Sequence, residues 1–157
     1  MVSGIECTIP YGERGIALSM KEPQNGFEYH ENQVKVKKIL IVDDSAAIRR
    51  TLRMLLRQRP EWELCGEAEN GREGVEQAQR LRPDLILLDF SMPIMNGFEA
   101  ARELHKLMPE VPILMFTVFK TTQIEDEASA IGVSAVHSKF DAVDHLFNRI
   151  QGLLKAA

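Results

Sequence analysis

Between residues 37 and 157, short apolar runs alternate with segments of helical periodicity, five times over. Ile39-Leu40-Ile41-Val42 is rich in β-branched residues and short enough for a buried parallel strand. The next segment places Ile48, Leu52, Leu55 and Leu56 on one helical face. Arg49, Arg50, Arg53 and Arg57 fall largely off that face and read as a solvated surface, and Pro60 ends the helix. Trp62, Leu64, Gly66 and Ala68 then alternate with polar residues, Cys65 apart, as in a half-buried edge strand. Asn70 followed by Glu73 resembles a capping-box start for a second helix with Val75, Ala78 and Leu81 inward, before Pro83. Leu85-Ile86-Leu87-Leu88 is the most apolar run and ends at Asp89. Asn96-Gly97 opens a third helix, with Phe98, Ala101 and Leu104 inward and Pro109 closing it. Ile113 to Phe116 predicts a fourth strand ending at Thr117. Thr122 with Glu125 predicts the cap of a fourth helix, which Gly132 ends. A weaker strand around Ala135 to His137 ends near Lys139. A fifth helix is expected from Asp141, with Val143, Leu146, Phe147, Ile150 and Leu153 as its stripe.

Five strand-then-helix repeats imply a mostly parallel sheet covered on both faces, because parallel strands need right-handed crossovers. The predicted fold is α/β, a flavodoxin-like (βα)5 three-layer sandwich with strand order 2-1-3-4-5, which puts the weak second strand at an edge. Residues 37–157 are expected to form this domain. Residues 1–36 carry scattered glycines, Pro10, Pro23 and no sustained periodicity, so they read as a poorly structured extension. Whether Met20 is the true initiator or the segment is a docking arm stays open.

Composition narrows the function classes. With 157 residues, 45% of them hydrophobic and 27% charged, the chain suits one well-cored domain. A net charge of −4 gives no basic field for nucleic-acid phosphates. Cys7 and Cys65 are too few for a disulfide framework, and His30, His105, His137 and His145 form no zinc pattern. No apolar run is long enough for a membrane span and no secretory signal is evident, so a cytoplasmic protein is expected.

In folds of this kind the site forms outside the carboxyl ends of the strands, near the switch point. There the sequence places Asp43 and Asp44 after the first strand, Asp89 at the end of the third, Thr117 at the end of the fourth and Lys139 after the fifth. Carboxylates crowded in a partly desolvated pocket repel one another unless a cation is bound, and Mg2+ suits an open acidic site. An ionised aspartate can attack phosphorus when a metal and a lysine neutralise the transferring oxygens, and Asp89 is the best-placed nucleophile. Taken singly, Ser45 or Asp44 reads as a helix cap, Thr117 as a strand-end threonine and Lys139 as a solvated charge.

Leu40-Ile41-Val42-Asp43-Asp44-Ser45, Leu87-Leu88-Asp89-Phe90-Ser91-Met92-Pro93 with Gly97, then Phe116-Thr117 and Lys139, together resemble the CheY-like receiver domain of two-component response regulators, from about Lys37 to Lys155. The resemblance implies that Asp89 is the phosphorylation site. It implies direct Mg2+ ligation by Asp44, Asp89 and the Ser91 backbone carbonyl, with Asp43 acting through water. Lys139 would pair with the phosphoryl group, and Thr117 would turn inward to it. The implied donor is a sensor histidine kinase or a histidine phosphotransfer protein. Cys65 to Gly71 looks like receivers that precede a LuxR-type DNA-binding domain. None follows here, so the expected role is that of a single-domain receiver without direct DNA or membrane binding. Its output would be contact with a downstream effector, or homodimerisation through the face made by the fourth helix, fifth strand and fifth helix.

Three positions depart from the family pattern. Val118 follows the switch threonine where a small residue is usual, and with Phe119 after it at the pocket mouth it predicts slow hydrolysis of a phosphorylated form. Val136 stands where an aromatic commonly moves with the threonine. Phe140 replaces the proline after the lysine, so a trans peptide is expected there. These departures keep open a degenerate receiver acting as a phosphorylation-independent interaction module. A Mg2+-dependent phosphohydrolase is disfavoured, because the second carboxylate such enzymes carry two residues after the nucleophile is replaced by Ser91.

Overall fold

The apolar runs pair side by side, all in parallel. In the computed structural model, which describes residues 35–157, the elements run β1 (Lys37–Val42), α1 (Ala46–Leu56), β2 (Trp62–Ala68), α2 (Gly71–Leu81), β3 (Leu85–Asp89), α3 (Gly97–Leu107), β4 (Ile113–Thr117), α4 (Thr122–Ala130), β5 (Ala135–Ser138) and α5 (Val143–Ala156). The five strands form one sheet of order β2-β1-β3-β4-β5, the flavodoxin-like order expected. Most of the expected extension, with Cys7, Met20 and His30, lies outside the described residues.

Strand alternation divides the core into two layers. Leu40, Val42, Ile86, Leu88, Ile113 and Met115 face α2, α3 and α4, packing on Val75, Ala78, Ala101, Leu104 and Ala128. Ile39, Ile41, Leu85, Leu87, Leu114 and Phe116 face α1 and α5, packing on Leu52, Leu56, Leu146, Phe147, Ile150 and Leu154. β1, β3 and β4 are therefore covered on both sides, which is why their sequences read as unbroken apolar runs. β2 is half-buried along most of its length. Its register against β1 slips between Ile39 and Leu40, whose partners are Leu64 and Gly66. Cys65 is the extra residue of that bulge, and this accounts for its break in the alternation of β2.

The helix starts differ from expectation in three places. Asn70 caps α2 through the Glu73 N–H, but the Glu73 carboxylate accepts from Glu69 N–H at 2.9 Å, one residue before the position a capping box requires. The reciprocal box is instead complete at α3, between Asn96 and Glu99. The cap of α4 is Thr121, whose extended backbone lets its hydroxyl accept from Ile124 N–H; Thr122 is already helical. α5 begins at Val143 and not at Asp141, because the Ala142 backbone is extended, with ψ of 146°, and the Asp141 N–H closes a turn to the Ser138 carbonyl. In consequence Val143 is exposed, and Leu154 is buried at the far end of the stripe. Among the described residues no peptide bond is cis, so Lys139–Phe140 is trans as expected. Among the described residues no helix is long and apolar enough to cross a membrane.

Candidate functional site

Parallel strands that end in register deliver their last residues to one edge of the sheet. Asp43 follows β1, Asp89 ends β3 and pairs in register with Phe116, Thr117 ends β4, and Lys139 follows β5 with its N–H on the Thr117 carbonyl at 2.8 Å. Asp43, Asp89 and Thr117 are buried, whereas Asp44 is exposed. The carboxylates of Asp43, Asp44 and Asp89 each place an oxygen within 4.8 Å of the others.

Lys139 ties two of them together. Its Nζ donates to Asp43 Oδ2 at 2.6 Å and lies 2.9 Å from Asp89 Oδ1. The amine also lies 5.7 Å from the centre of the Phe116 ring, so an apolar wall backs the pair. Burial alone would lower the Lys139 pKa, but its contacts with Asp43 and Asp89 reverse this and hold the amine charged. Burial is the largest influence on Asp89 and raises its pKa, against the lowering effect of Lys139; the Asp43 charge pushes it further up. The raised value is the physically expected one for a carboxylate that shares a single buried cation with a second carboxylate.

The loop after β3 is fixed at both ends. Gly97 N–H donates to the Phe90 carbonyl at 2.8 Å, and a Cβ on Gly97 would fall on the Asp89 carbonyl oxygen and lie 2.8 Å from the Phe90 Cα. Only glycine lets α3 approach the end of β3 this closely. Between these points Met95 N–H bonds to the Pro93 carbonyl at 2.7 Å around Ile94, whose φ of 69° is strained for a β-branched residue. Ser91, from which a backbone ligand is expected, is exposed on this loop.

Asp43, Asp44, Asp89 and Lys139 are thus brought together. The Thr117 side chain points elsewhere: its hydroxyl accepts from Phe119 N–H at 3.2 Å and lies 3.4 Å from the Phe119 carbonyl. Val118 and Phe119 are exposed beyond it.

Two residues near the cluster have no place in the acidic pocket expected from the sequence. Arg49 was expected on a solvated face but is only 8% exposed. Its Nη1 donates to the Asp43 carbonyl at 2.8 Å and its Nη2 to Glu69 Oε1 at 2.7 Å, which removes it from water. The acidic residues at the end of β2 are the signal that could have found it. His137 is buried on β5, stacked on Phe116 with ring centres 5.8 Å apart. Burial lowers its pKa, and the nearby Asp141 carboxylate opposes that shift.

The donor set fits a hard divalent cation. It is all oxygen, it carries more negative charge than Lys139 balances, and one carboxylate opens to solvent, where a magnesium ion could keep part of its water shell.

An acidic cluster at the carboxyl edge of a five-stranded parallel sheet of this order is the architecture of a CheY-like signalling domain. Residues 39–151 match the response regulator receiver domain family, and the chain belongs to it. A protein-glutamate methylesterase/protein-glutamine glutaminase of Alkalilimnicola ehrlichii is 50% identical over 78 residues, covering 50% of this chain and 20% of that protein. The transcriptional regulatory protein LnrK of Bacillus subtilis is 35% identical over 113 residues, covering 72% of this chain and 51% of that protein. The solved response regulator domain of Thermotoga maritima CheB is 28% identical with a TM-score of 0.72, over 76% of this chain and 97% of that one. The chain spans between a fifth and about half of the length of these curated relatives.

Proposed function

We propose that the domain accepts a phosphoryl group on Asp89 from a phosphohistidine donor, in a pocket that binds Mg2+, and that this changes its contacts with other proteins. The observation that carries the reading is the shared cation: Lys139 bridges Asp43 and Asp89 at 2.6 and 2.9 Å, with the Asp44 carboxylate in the same cluster. In the transfer an Asp89 carboxylate oxygen forms the O–P bond, the N–P bond of the donor breaks, and the imidazole leaves and takes up a proton from water. Lys139 neutralises charge on the transferring oxygens, and Asp43 holds Lys139 in place. Asp43, Asp44, Asp89 and the Ser91 carbonyl would hold the ion, which supplies further neutralisation of those oxygens.

Thr117 starts from a position committed to the Phe119 backbone. To donate to a phosphoryl group on Asp89 its hydroxyl must leave that bond, and the β4–α4 loop carrying Phe119 must adjust. α4 is a natural reporter of such a change, since Ala128 is its one buried residue. The partners proposed are a sensor histidine kinase or phosphotransfer protein upstream and an effector downstream, with self-association through α4, β5 and α5 as a further route. The domain itself acts as a signalling module, and its only chemistry is gain and loss of the phosphoryl group.

The test is intact-mass spectrometry after incubation with acetyl phosphate, with and without Mg2+. A single phosphoryl adduct is expected on the wild type only when Mg2+ is present, and none on Asp89→Asn. No adduct from acetyl phosphate or from a panel of phosphohistidine donors would favour the phosphorylation-independent module.

A further inference from the structure

We propose that Arg49 is a positioning residue of the acidic pocket, setting its affinity for a divalent cation by holding the peptide between Asp43 and Asp44. The inference rests on the phosphoacceptor reading, since the cation is the same one.

Asp43 is anchored at four points. Its N–H continues the sheet to the Ala68 carbonyl at 3.1 Å. Its Oδ1 accepts from Ser45 N–H at 2.8 Å, and its Oδ2 from Lys139 at 2.6 Å. The fourth anchor is Arg49 Nη1 on its carbonyl oxygen at 2.8 Å. That carbonyl belongs to the peptide from which Asp44 extends. Asp44 is the exposed member of the cluster, so its carboxylate is placed mainly by the backbone it hangs from.

The guanidinium is itself held from behind by β2. Nη2 meets Glu69 Oε1 at 2.7 Å, and Nε lies 3.3 Å from Glu67 Oε2. Arg53 pairs with the other oxygen of Glu67, Oε1, at 2.6 Å and leaves Oε2 to Arg49. The planar fork of arginine satisfies one carbonyl and two carboxylates at once, which a single ammonium cannot match. Groups that orient metal ligands from behind typically change affinity by about 10–100-fold when removed.

The competing reading is that Arg49 only staples α1 to β2. Arg53 separates the two, because it binds the same Glu67 but makes no bond to Asp43. We would titrate wild type, Arg49→Met, Arg49→Lys and Arg53→Met with magnesium chloride by calorimetry and record thermal melting of each without the metal. Arg49→Met is expected to bind Mg2+ at least about tenfold more weakly while folded, Arg49→Lys to fall between it and wild type, and Arg53→Met to keep wild-type affinity whatever its melting temperature. If Arg49→Met does not fold, Arg49→Lys against Arg53→Met decides, again by weaker binding in the former alone. Wild-type affinity in the Arg49 variants, or equal weakening in Arg53→Met, overturns the positioning role and leaves the pocket reading intact. Absence of Mg2+ binding by the wild type overturns the pocket reading, and this inference with it.

Discussion

Lys139 donates to Asp43 at 2.6 Å across 96 residues of sequence, with both side chains withdrawn from solvent. The contact joins the ends of β1 and β5 and leaves Lys139 as the cation shared with Asp89. Removing one partner of a buried ion pair leaves the other charge uncompensated, at a cost of about 3–5 kcal/mol. Lys139→Met is therefore expected to lose about 3 kcal/mol of stability in urea titrations without divalent ions, and to recover part of it when Mg2+ is added. A variant as stable as wild type without metal would show that the three charges do not depend on one another.

Gly97 and Gly152 make opposite predictions. A methyl at Gly97 collides with the backbone of Asp89 and Phe90, so Gly97→Ala should cost about 1–3 kcal/mol and disturb phosphorylation as well. A Cβ at Gly152 meets nothing within 4 Å on the exposed side of α5, and Gly152→Ala should raise stability by about 0.5–1 kcal/mol. Chemical denaturation of both variants checks the pair.

His137 supplies a pH dependence with a definite sign. Its folded-state pKa lies below the ordinary histidine value, because burial opposes the charged ring and Arg149, Lys120 and His145 add to the effect, while Asp141 acts against it. The folded state therefore prefers the neutral form, and its stability is full above about pH 6.5 and falls as the pH drops through the folded-state value. His137→Phe preserves a ring to stack on Phe116 and removes the titration. The loss of stability between neutral and mildly acidic pH should be smaller in this variant than in wild type; equal losses would assign the acid sensitivity to other groups.

Val118 and Phe119 border Thr117 and are exposed. We expect them to shield a phosphorylated Asp89 from water, so that Val118→Ala shortens the lifetime of the adduct several-fold. Following the decay of the phosphorylated mass after removal of the donor measures this, and an unchanged lifetime would remove the shielding role.

The sheet was legible because strands covered on both faces must be apolar throughout, and Ile39–Val42, Leu85–Leu88 and Ile113–Phe116 are. The residues next to those runs, Asp43, Asp44, Asp89 and Thr117, follow directly from them, and Lys139 follows from the weaker run of Ala135 to His137. Helix starts were less legible. Thr121 and Thr122 are chemically equivalent caps, and the backbone angles that decide between them leave no mark on the sequence. Arg49 was misread because a buried arginine and a solvated one look alike until the acceptors are known, and Glu67, Glu69 and the Asp43 carbonyl reach it only through the fold. The direction of the Thr117 hydroxyl was equally hidden, since a rotamer and a loop conformation decide it.

The proposal that Asp89 is the phosphoacceptor is tested most directly by locating the modified residue. Protein treated with acetyl phosphate and Mg2+ is reduced with sodium borohydride, which converts an aspartyl phosphate to homoserine, and its peptides are sequenced by mass spectrometry. The expected result is homoserine at position 89 and nowhere else, absent when the donor or Mg2+ is omitted. Homoserine at position 43 or 44, or a phosphoryl group stable to borohydride on a serine, threonine or histidine, would contradict it.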